Sequence, residues 1–200
     1  MPVRWSSLLL LVKIIRGGIR VKIDQKEFTV NELQYVVRSA RTEDAAGLSE
    51  ARLQIDGETE NLDRESGEAY IDEAGFIEII EEDSASETNL FLVAEADGRI
   101  VGFSRCAGNT LKRTSHRVEF GVGVLKEYWG YGIGKELLKQ SIHWGDTNRI
   151  KKITLKVLET NEKAIRMYEK LGFEVEGVLK ADKLLRDGNY YNTVLMGRIK

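Results

Sequence analysis

The chain has 200 residues, 42% of them hydrophobic and one a proline, enough for one compact α/β domain with a full core or for a domain with an appendage. Thirty Lys and Arg against 32 Asp and Glu leave a formal charge of −2, which excludes a general polyanion binder and predicts no nucleic-acid partner. A lone Cys106 forms no intramolecular disulfide, which fits a reducing cytoplasm, and two histidines, His116 and His143, give no metal cluster of usual spacing, so no metal is expected.

Residues 1–34 read as an N-terminal extension. Leu8 to Ile15 is apolar except for Lys13, about half the length of a membrane span. No small-residue cleavage pattern of a secretory signal follows it, so no membrane partner is expected. Ile19, Val21 and Ile23 alternate, and a turn at 24–27 into Phe28-Thr29-Val30 predicts a small hairpin at a sheet edge. A mobile or mis-started leader is the alternative for about the first fifteen residues.

A domain running from 35 to 200 follows. Tyr35 to Arg38 predicts its first strand. Thr42 is placed as the N-cap of a helix to about Gln54, with Glu43 and Asp44 in the first turn. Residues 56–67 read as a loop and 68–82 as an acidic helix. From Glu43 to Glu87 sixteen acidic residues stand against two basic ones, Arg52 and Arg64, so charge is unevenly spread. Asn89 to Glu95 and Arg99 to Gly108 read as strands joined by Ala96-Asp97-Gly98, a hairpin signal. Cys106 in the second of them reads as a buried spectator.

Val118, Phe120, Val122 and Val124 then alternate over a strand at 117–125, and a helix runs to about Trp144. A strand at 152–158, a helix at 162–171 stopped by Gly172, and strands at 173–179 and 190–199 turned at Asp187-Gly188 complete the order.

Between the strand at 117–125 and its helix lies Trp129-Gly130-Tyr131-Gly132-Ile133-Gly134-Lys135. A glycine-rich turn opening a helix is an anion cradle, because free N–H groups point outward and the helix dipole adds about half a positive charge. The dinucleotide fingerprint needs G-x-G-x-x-G, but these glycines are spaced G-x-G-x-G. The P-loop needs four residues before its Gly-Lys pair and then Ser or Thr; here three intervene and Glu136 follows Lys135. Both spacings fail.

The turn resembles that of the GNAT acetyltransferase superfamily, whose [Gln/Arg]-x-x-Gly-x-[Gly/Ala] pattern falls on residues 129–134. Trp129 stands where Gln or Arg is usual, and an indole cannot offer the fork of donors that a guanidinium does. A second signature, N-x-x-A-x-x-x-Y-x-x-x-G-F, falls on Asn161, Ala164, Tyr168, Gly172 and Phe173. Asn161 and Tyr168 lie seven apart, on one side of a helix. Taken alone they read as an N-cap and a core ring.

The resemblance implies an α/β fold with a mixed, largely antiparallel central sheet, flanked by helices and splayed at the acetyl-CoA site. It implies transfer of an acetyl group from acetyl-CoA to a primary amine by direct attack in a ternary complex. Cofactor contacts are implied for the backbone of Val122, Gly123 and Val124, for Trp129, Gly130, Tyr131, Gly132, Ile133, Gly134 and Lys135, and for Asn161. Tyr168 is implied as the acid that protonates the leaving thiolate. Glu119 is the candidate base, acting through water, with an outward solvated strand residue as its other reading. The position five before Asn161, acidic in some relatives, is Lys156. The acidic stretch, with Tyr190 and Tyr191, would wall the acceptor side and attract a cationic amine: a polyamine, an aminoglycoside-like compound or a basic peptide. Acetylation of protein N-termini or lysines stays open, as does a non-catalytic coenzyme-A-binding sensor, and a homodimer is compatible with all of these.

Overall fold

The computed structural model describes residues 22–200, so the readings placed on Leu8 to Ile15, Ile19 and Val21 lie outside the described residues. Strand β1 (Lys26–Val30) pairs antiparallel with β2 (Leu33–Ser39), Phe28 opposite Tyr35, with their rings stacked at 5.2 Å. The turn between them is Asn31-Glu32, both left-handed at φ 46° and 69°, as a two-residue hairpin requires. That corrects the turn expected at 24–27, where Lys26 and Glu27 already pair with Val37 and Val36. Asn-Glu lacks the glycine that usually marks such a turn. The boundary expected at residue 34 falls inside β2, and both strands belong to the main sheet.

After β2 the chain passes through a 3-10 turn, Thr42–Asp44, into helix α1 (Ala45–Glu58). Thr42 is not the N-cap. Asp44 takes that place for α1 and Arg41 for the 3-10 turn, the Arg41 N–H donating to Asp44 Oδ2 at 2.8 Å, while the Asp44 carboxylate also receives the Arg38 guanidinium at 2.6 and 2.7 Å. A tertiary ion pair has overridden the local signal. Helix α2 (Glu73–Ala85) starts five residues later than expected, because Gly67 and Ala69 are left-handed and Asp72 caps the helix through Gly75 N at 2.9 Å.

Strands β3 (Leu90–Ala96) and β4 (Arg99–Ala107) form the expected hairpin on left-handed Asp97 and Gly98. Then come β5 (Arg117–Val124), α3 (Ile133–Thr147), β6 (Lys152–Leu158), α4 (Glu162–Lys170), β7 (Glu174–Leu184) and β8 (Tyr190–Ile199). β7 runs five residues beyond the expected end. Register shifts between Val175 and Gly177 and between Leu179 and Lys183 break the alternation that would have announced it.

The eight strands form one sheet in the order β1-β2-β3-β4-β5-β6-β8-β7, antiparallel except for the β5–β6 pair. One core cluster, which includes Leu92, Val118, Phe120, Leu137, Leu155 and Tyr168, lies under α3 and α4. A second, with Leu48, Phe76, Phe91 and Val93, lies under α1 and α2. Cys106 is fully buried between strand and α3, and burial pushes its thiol up to about 12, so it is a spectator as expected. The pairing directions give the sheet two unlike ends. The carboxyl ends of β5 and β6, loop 59–72 and the β7–β8 hairpin tip share one end; the starts of β5 and β6 and the finish of β8 share the other.

Candidate active site

The site begins where β5 and β6 part. Their parallel register runs through Arg117↔Lys152, Val118↔Ile153 and Glu119↔Thr154 and then stops, although β5 continues to Val124 and β6 to Leu158. On their other sides β6 is paired with β8 along its whole length and β5 with β4 from Glu119 to Val124. Beyond Glu119 the groups of Val122, Gly123 and Val124 that face β6 therefore lack a strand partner. Unpaired backbone amides at a gap are what an extended, amide-bearing arm can satisfy, in the manner of an added strand.

At the top of that gap β5 turns through a 3-10 segment, Lys126–Tyr128, into the glycine loop. Gly130 and Gly132 are left-handed at φ 94° and 78°, and a Cβ on Gly130 would meet nothing within 4 Å, so the outer face of the loop is open. The first main-chain bond of α3 is from Glu136 N to Gly132 O, which leaves the N–H groups of Ile133, Gly134 and Lys135 without main-chain partners among the described residues. The Ile133 side chain is in the core, so that residue offers only its N–H; the Lys135 side chain is exposed on the first turn. Phosphate fits this cradle.

Trp129 does not reach over it. Its indole N–H donates to the carbonyl of Val124 at 2.8 Å, bracing the turn against the end of β5. Beneath the loop sits Tyr35, a residue the motifs do not flag. It is buried, its hydroxyl donates to Tyr131 O at 3.4 Å, and burial together with nearby Glu136 raises its phenol to about 12. The stacked Phe28 and Tyr35 thus make the β1–β2 hairpin a floor for the turn. Only the unusual position of a tyrosine amid Val36 and Val37 could have hinted at it.

On the far side of the gap Asn161 caps α4, its Oδ1 accepting from Ala164 N at 3.3 Å. Tyr168 packs on Phe173 with ring centroids 5.9 Å apart, and burial raises its phenol to about 12. Among the described residues, the fully buried side-chain polar atoms lacking a partner are those of Ser104, Gln140 and Thr193. Tyr168 is 6% exposed, and no hydrogen bond engages its hydroxyl among the described residues.

Glu119 is exposed and ion-paired with Lys156 at 3.6 Å. Since neighbouring Val118 and Phe120 join the core that holds Tyr168, Glu119 points to the opposite face of the sheet. The two candidate catalytic groups can share a substrate only through the opening between β5 and β6.

At this end of the sheet loop 59–72 and the β7–β8 hairpin, expected to wall the acceptor, meet each other. Lys183 meets Asp63 at 2.6 Å, the Arg186 N–H donates to Glu60 at 2.8 Å, and the Arg186 guanidinium lies 3.8 Å from Glu65. Glu159 at the end of β6 accepts from Asn192 N and Nδ2 at 2.7 and 2.9 Å, and Asn192 Oδ1 accepts from Ala181 N in the β7 bulge. Part of the acidic stretch is therefore consumed inside the protein: Asp44, Asp56, Glu60, Asp63, Glu65 and Asp83 all carry basic partners.

Comparison with known proteins follows the same lines. The sequence profile described as the acetyltransferase (GNAT) family matches residues 56–173, more than half of the chain. The L-amino acid N-acetyltransferase AaaT of Escherichia coli K12 is 36% identical over 110 residues, 54% of this chain and 67% of that protein. The spermidine N(1)-acetyltransferase of the same strain is 34% identical over 105 residues, covering 52% and 55%. The chain thus spans between about half and two thirds of these curated relatives. A GNAT acetyltransferase from Streptococcus pneumoniae has the same fold, with a TM-score of 0.80 at 24% identity, covering 83% of this chain and 99% of its own. So has yncA of Salmonella typhimurium, a structure with its cofactor acetyl-CoA, with a TM-score of 0.73 at 19% identity over 82% and 93%. The splayed parallel pair, the left-handed glycine turn and these likenesses agree, and the chain belongs to the GNAT family of acetyl-CoA-dependent N-acetyltransferases.

Proposed function

We propose that this chain acetylates a small primary amine, cationic at neutral pH, by direct attack on the thioester in a ternary complex. The observation that carries the reading is the bridged acceptor side: ion pairs from Lys183 and Arg186 to Asp63, Glu60 and Glu65 close the two walls on each other, which favours a small acceptor over a protein terminus. The similarity to proteins named for amino acid and spermidine substrates supports the same size class. A lone buried Cys106 supports a reducing cytoplasm as the compartment.

Acetyl-CoA, when bound, supplies an activated acyl carbon and a thiolate leaving group. The chain's own part is to orient and to move protons. Backbone groups of β5 and the loop N–H groups hold the donor. Glu119, with Lys156 beside it, takes a proton from the incoming ammonium through water, since only the neutral amine attacks. Tyr168 keeps its proton through the neutral range and delivers it to the departing sulfur. Exposed carboxylates left over from the acidic stretch, among them Glu73, Glu78 and Glu81 on α2, bias encounter toward cations.

The test is thiol release from acetyl-CoA against polyamines, aminoglycosides, amino acids and short peptides, with coenzyme A affinity followed by calorimetry. Turnover with cationic small amines, falling in kcat/KM as salt rises, is the expected result. Rates independent of salt would remove the steering argument, and intact cofactor binding without turnover of any amine would favour a non-catalytic sensor.

A further inference from the structure

A ring of polar side chains ties the last turn of α1 to the segment that enters the glycine turn. Glu58, which ends α1, accepts from Lys126 N through Oε2 at 2.7 Å and from Gln54 Nε2 through Oε1 at 2.7 Å. Gln54 Oε1 in turn accepts from Arg99 Nη2 at 2.8 Å, and Arg99 Nη1 donates to Glu127 at 2.8 Å, on the same 3-10 segment as Lys126. The circuit closes on itself.

The bond to Lys126 meets a local need. Lys126 opens the 3-10 segment, and the first N–H groups of a helix have no partner within it. The capping position before it is held by Leu125, whose side chain carries no acceptor. A carboxylate from another element, 68 positions away in the chain, takes the N–H instead.

What Glu58 is attached to makes the bond more than a cap. Loop 59–72 starts at the next residue and rides on α1: Arg64 donates twice to the buried Asp56 at 3.0 Å, Arg52 Nη1 donates to Ala69 O at 2.7 Å, and Ser49 Oγ donates to Ile71 O at 2.7 Å. Helix and loop form one piece. That piece touches the end of β5 in two ways: Ile55 packs over Gly123, where an added Cβ would lie 3.4 Å from it, and Glu58 holds Lys126 N. Apolar packing tolerates a small slide, whereas a charge-assisted bond fixes direction.

We propose that Glu58 is a positioning residue for acetyl transfer, a role that rests on the reading of loop 59–72 as acceptor wall and of the glycine turn as cofactor cradle. It touches neither reactant. By fastening the loop to the turn it makes a cofactor seated on the turn set the loop as well. Such a link is reciprocal: the factor by which coenzyme A tightens the amine is the factor by which the amine tightens coenzyme A.

Hydrogen exchange of the full chain with coenzyme A tests the link without any amine. Coenzyme A should slow amide exchange at 126–137 and also in loop 59–72, and in Glu58→Ala the first effect should stay while the second is lost. With the polyamine or amino acid that the thiol-release panel turns over fastest, Glu58→Ala should raise the amine's KM about fivefold, the equivalent of one net hydrogen bond, with kcat within about twofold. Coenzyme A affinity measured without amine should also stay within about twofold. Glu58→Gln keeps an oxygen for Lys126 N and should restore most of the loop protection and of the KM. A loop that coenzyme A leaves unprotected in the wild type, a loop protected equally in Glu58→Ala, or an unchanged KM overturns the proposal. Loop protection that depends on Glu58, with no amine of the panel turned over, would support the link and defeat only the proposed small-amine acceptor.

Discussion

The indole N–H of Trp129 is bonded to the carbonyl of Val124, at 2.8 Å, and so the residue that departs from the usual Gln or Arg holds the end of β5 to the turn instead of facing phosphate. A neutral bond of this kind contributes about 1 kcal/mol and a charge-assisted one about twice that. Trp129→Arg should release the carbonyl, add a guanidinium at the cradle and tighten coenzyme A binding by about fivefold in calorimetry. Unchanged or weaker binding would mean that the brace matters more than the added charge.

Tyr168→Phe should lower kcat by about 100-fold while leaving coenzyme A affinity within about twofold, because only a proton donor is lost from an intact ring. Glu119→Gln should lower kcat/KM most at low pH, where the amine is charged and needs its proton removed, and should converge on the wild type as pH approaches the amine's own pKa. A uniform loss across pH would make Glu119 a partner of Lys156 and nothing more.

Stability should be level from neutral pH to about 8, fall gently as the unfolded thiol ionises, and fall more steeply from about 10 up to about 12. Cys106, Tyr168 and Tyr35 all have their folded values raised to about 12, mainly by burial. The unfolded chain ionises first, at about 8.5 for the thiol and about 10 for the phenols, so rising pH favours unfolding across that window. Urea titrations of the wild type and Tyr168→Phe check this: the variant should show the shallower decline above pH 10.

Arg38 lies buried between Asp44, at 2.6 Å, and Glu95, at 2.7 Å. Removing Asp44 leaves the buried guanidinium with only the part-exposed Glu95 and frees the Arg41 N–H. Asp44→Ala should therefore destabilise by about 2–3 kcal/mol, and Arg38→Met with Asp44→Leu by less. Chemical denaturation of the two variants decides it, and equal losses would contradict the argument.

Arg186→Glu places like charge against Glu60 and Glu65. These groups are about half exposed, so stability should change by under about 1 kcal/mol. The acceptor side, no longer held closed, should show a raised KM for small amines and unchanged coenzyme A affinity. An unaltered KM would remove the bridged walls from the argument about acceptor size.

What the sequence could show depended on how local the cause was. The glycine turn and the Asn161 to Phe173 helix declare themselves because their geometry needs particular residues at fixed spacing. Asp97-Gly98 and Asp187-Gly188 likewise announce their turns. Thr42 misled because the true cap is decided by Arg38, six residues before Asp44 and on another element. Asn31-Glu32 was silent because a left-handed glutamate is an exception that the Phe28–Tyr35 stack makes tolerable. The role of Tyr35 under the turn rests on a contact with Tyr131, 96 positions along the chain, and no periodicity encodes that. The unlike ends of the sheet are invisible in a net charge of −2, since strand direction sorts the residues and composition only sums them.

Only three residue pairs join β5 to β6, while β6 is zipped to β8 along its whole length and β5 to β4 through its last six residues. Mechanically the sheet is two leaves, β1 to β5 and β6-β8-β7, sewn by a short seam and by the helix that crosses over it. The leaves should open and close as units, with amide exchange fastest in the upper halves of β5 and β6. A ligand lying in the cleft then does more than occupy it: it extends the seam, and cofactor binding stiffens the whole molecule along a line where the covalent chain alone leaves it free to breathe.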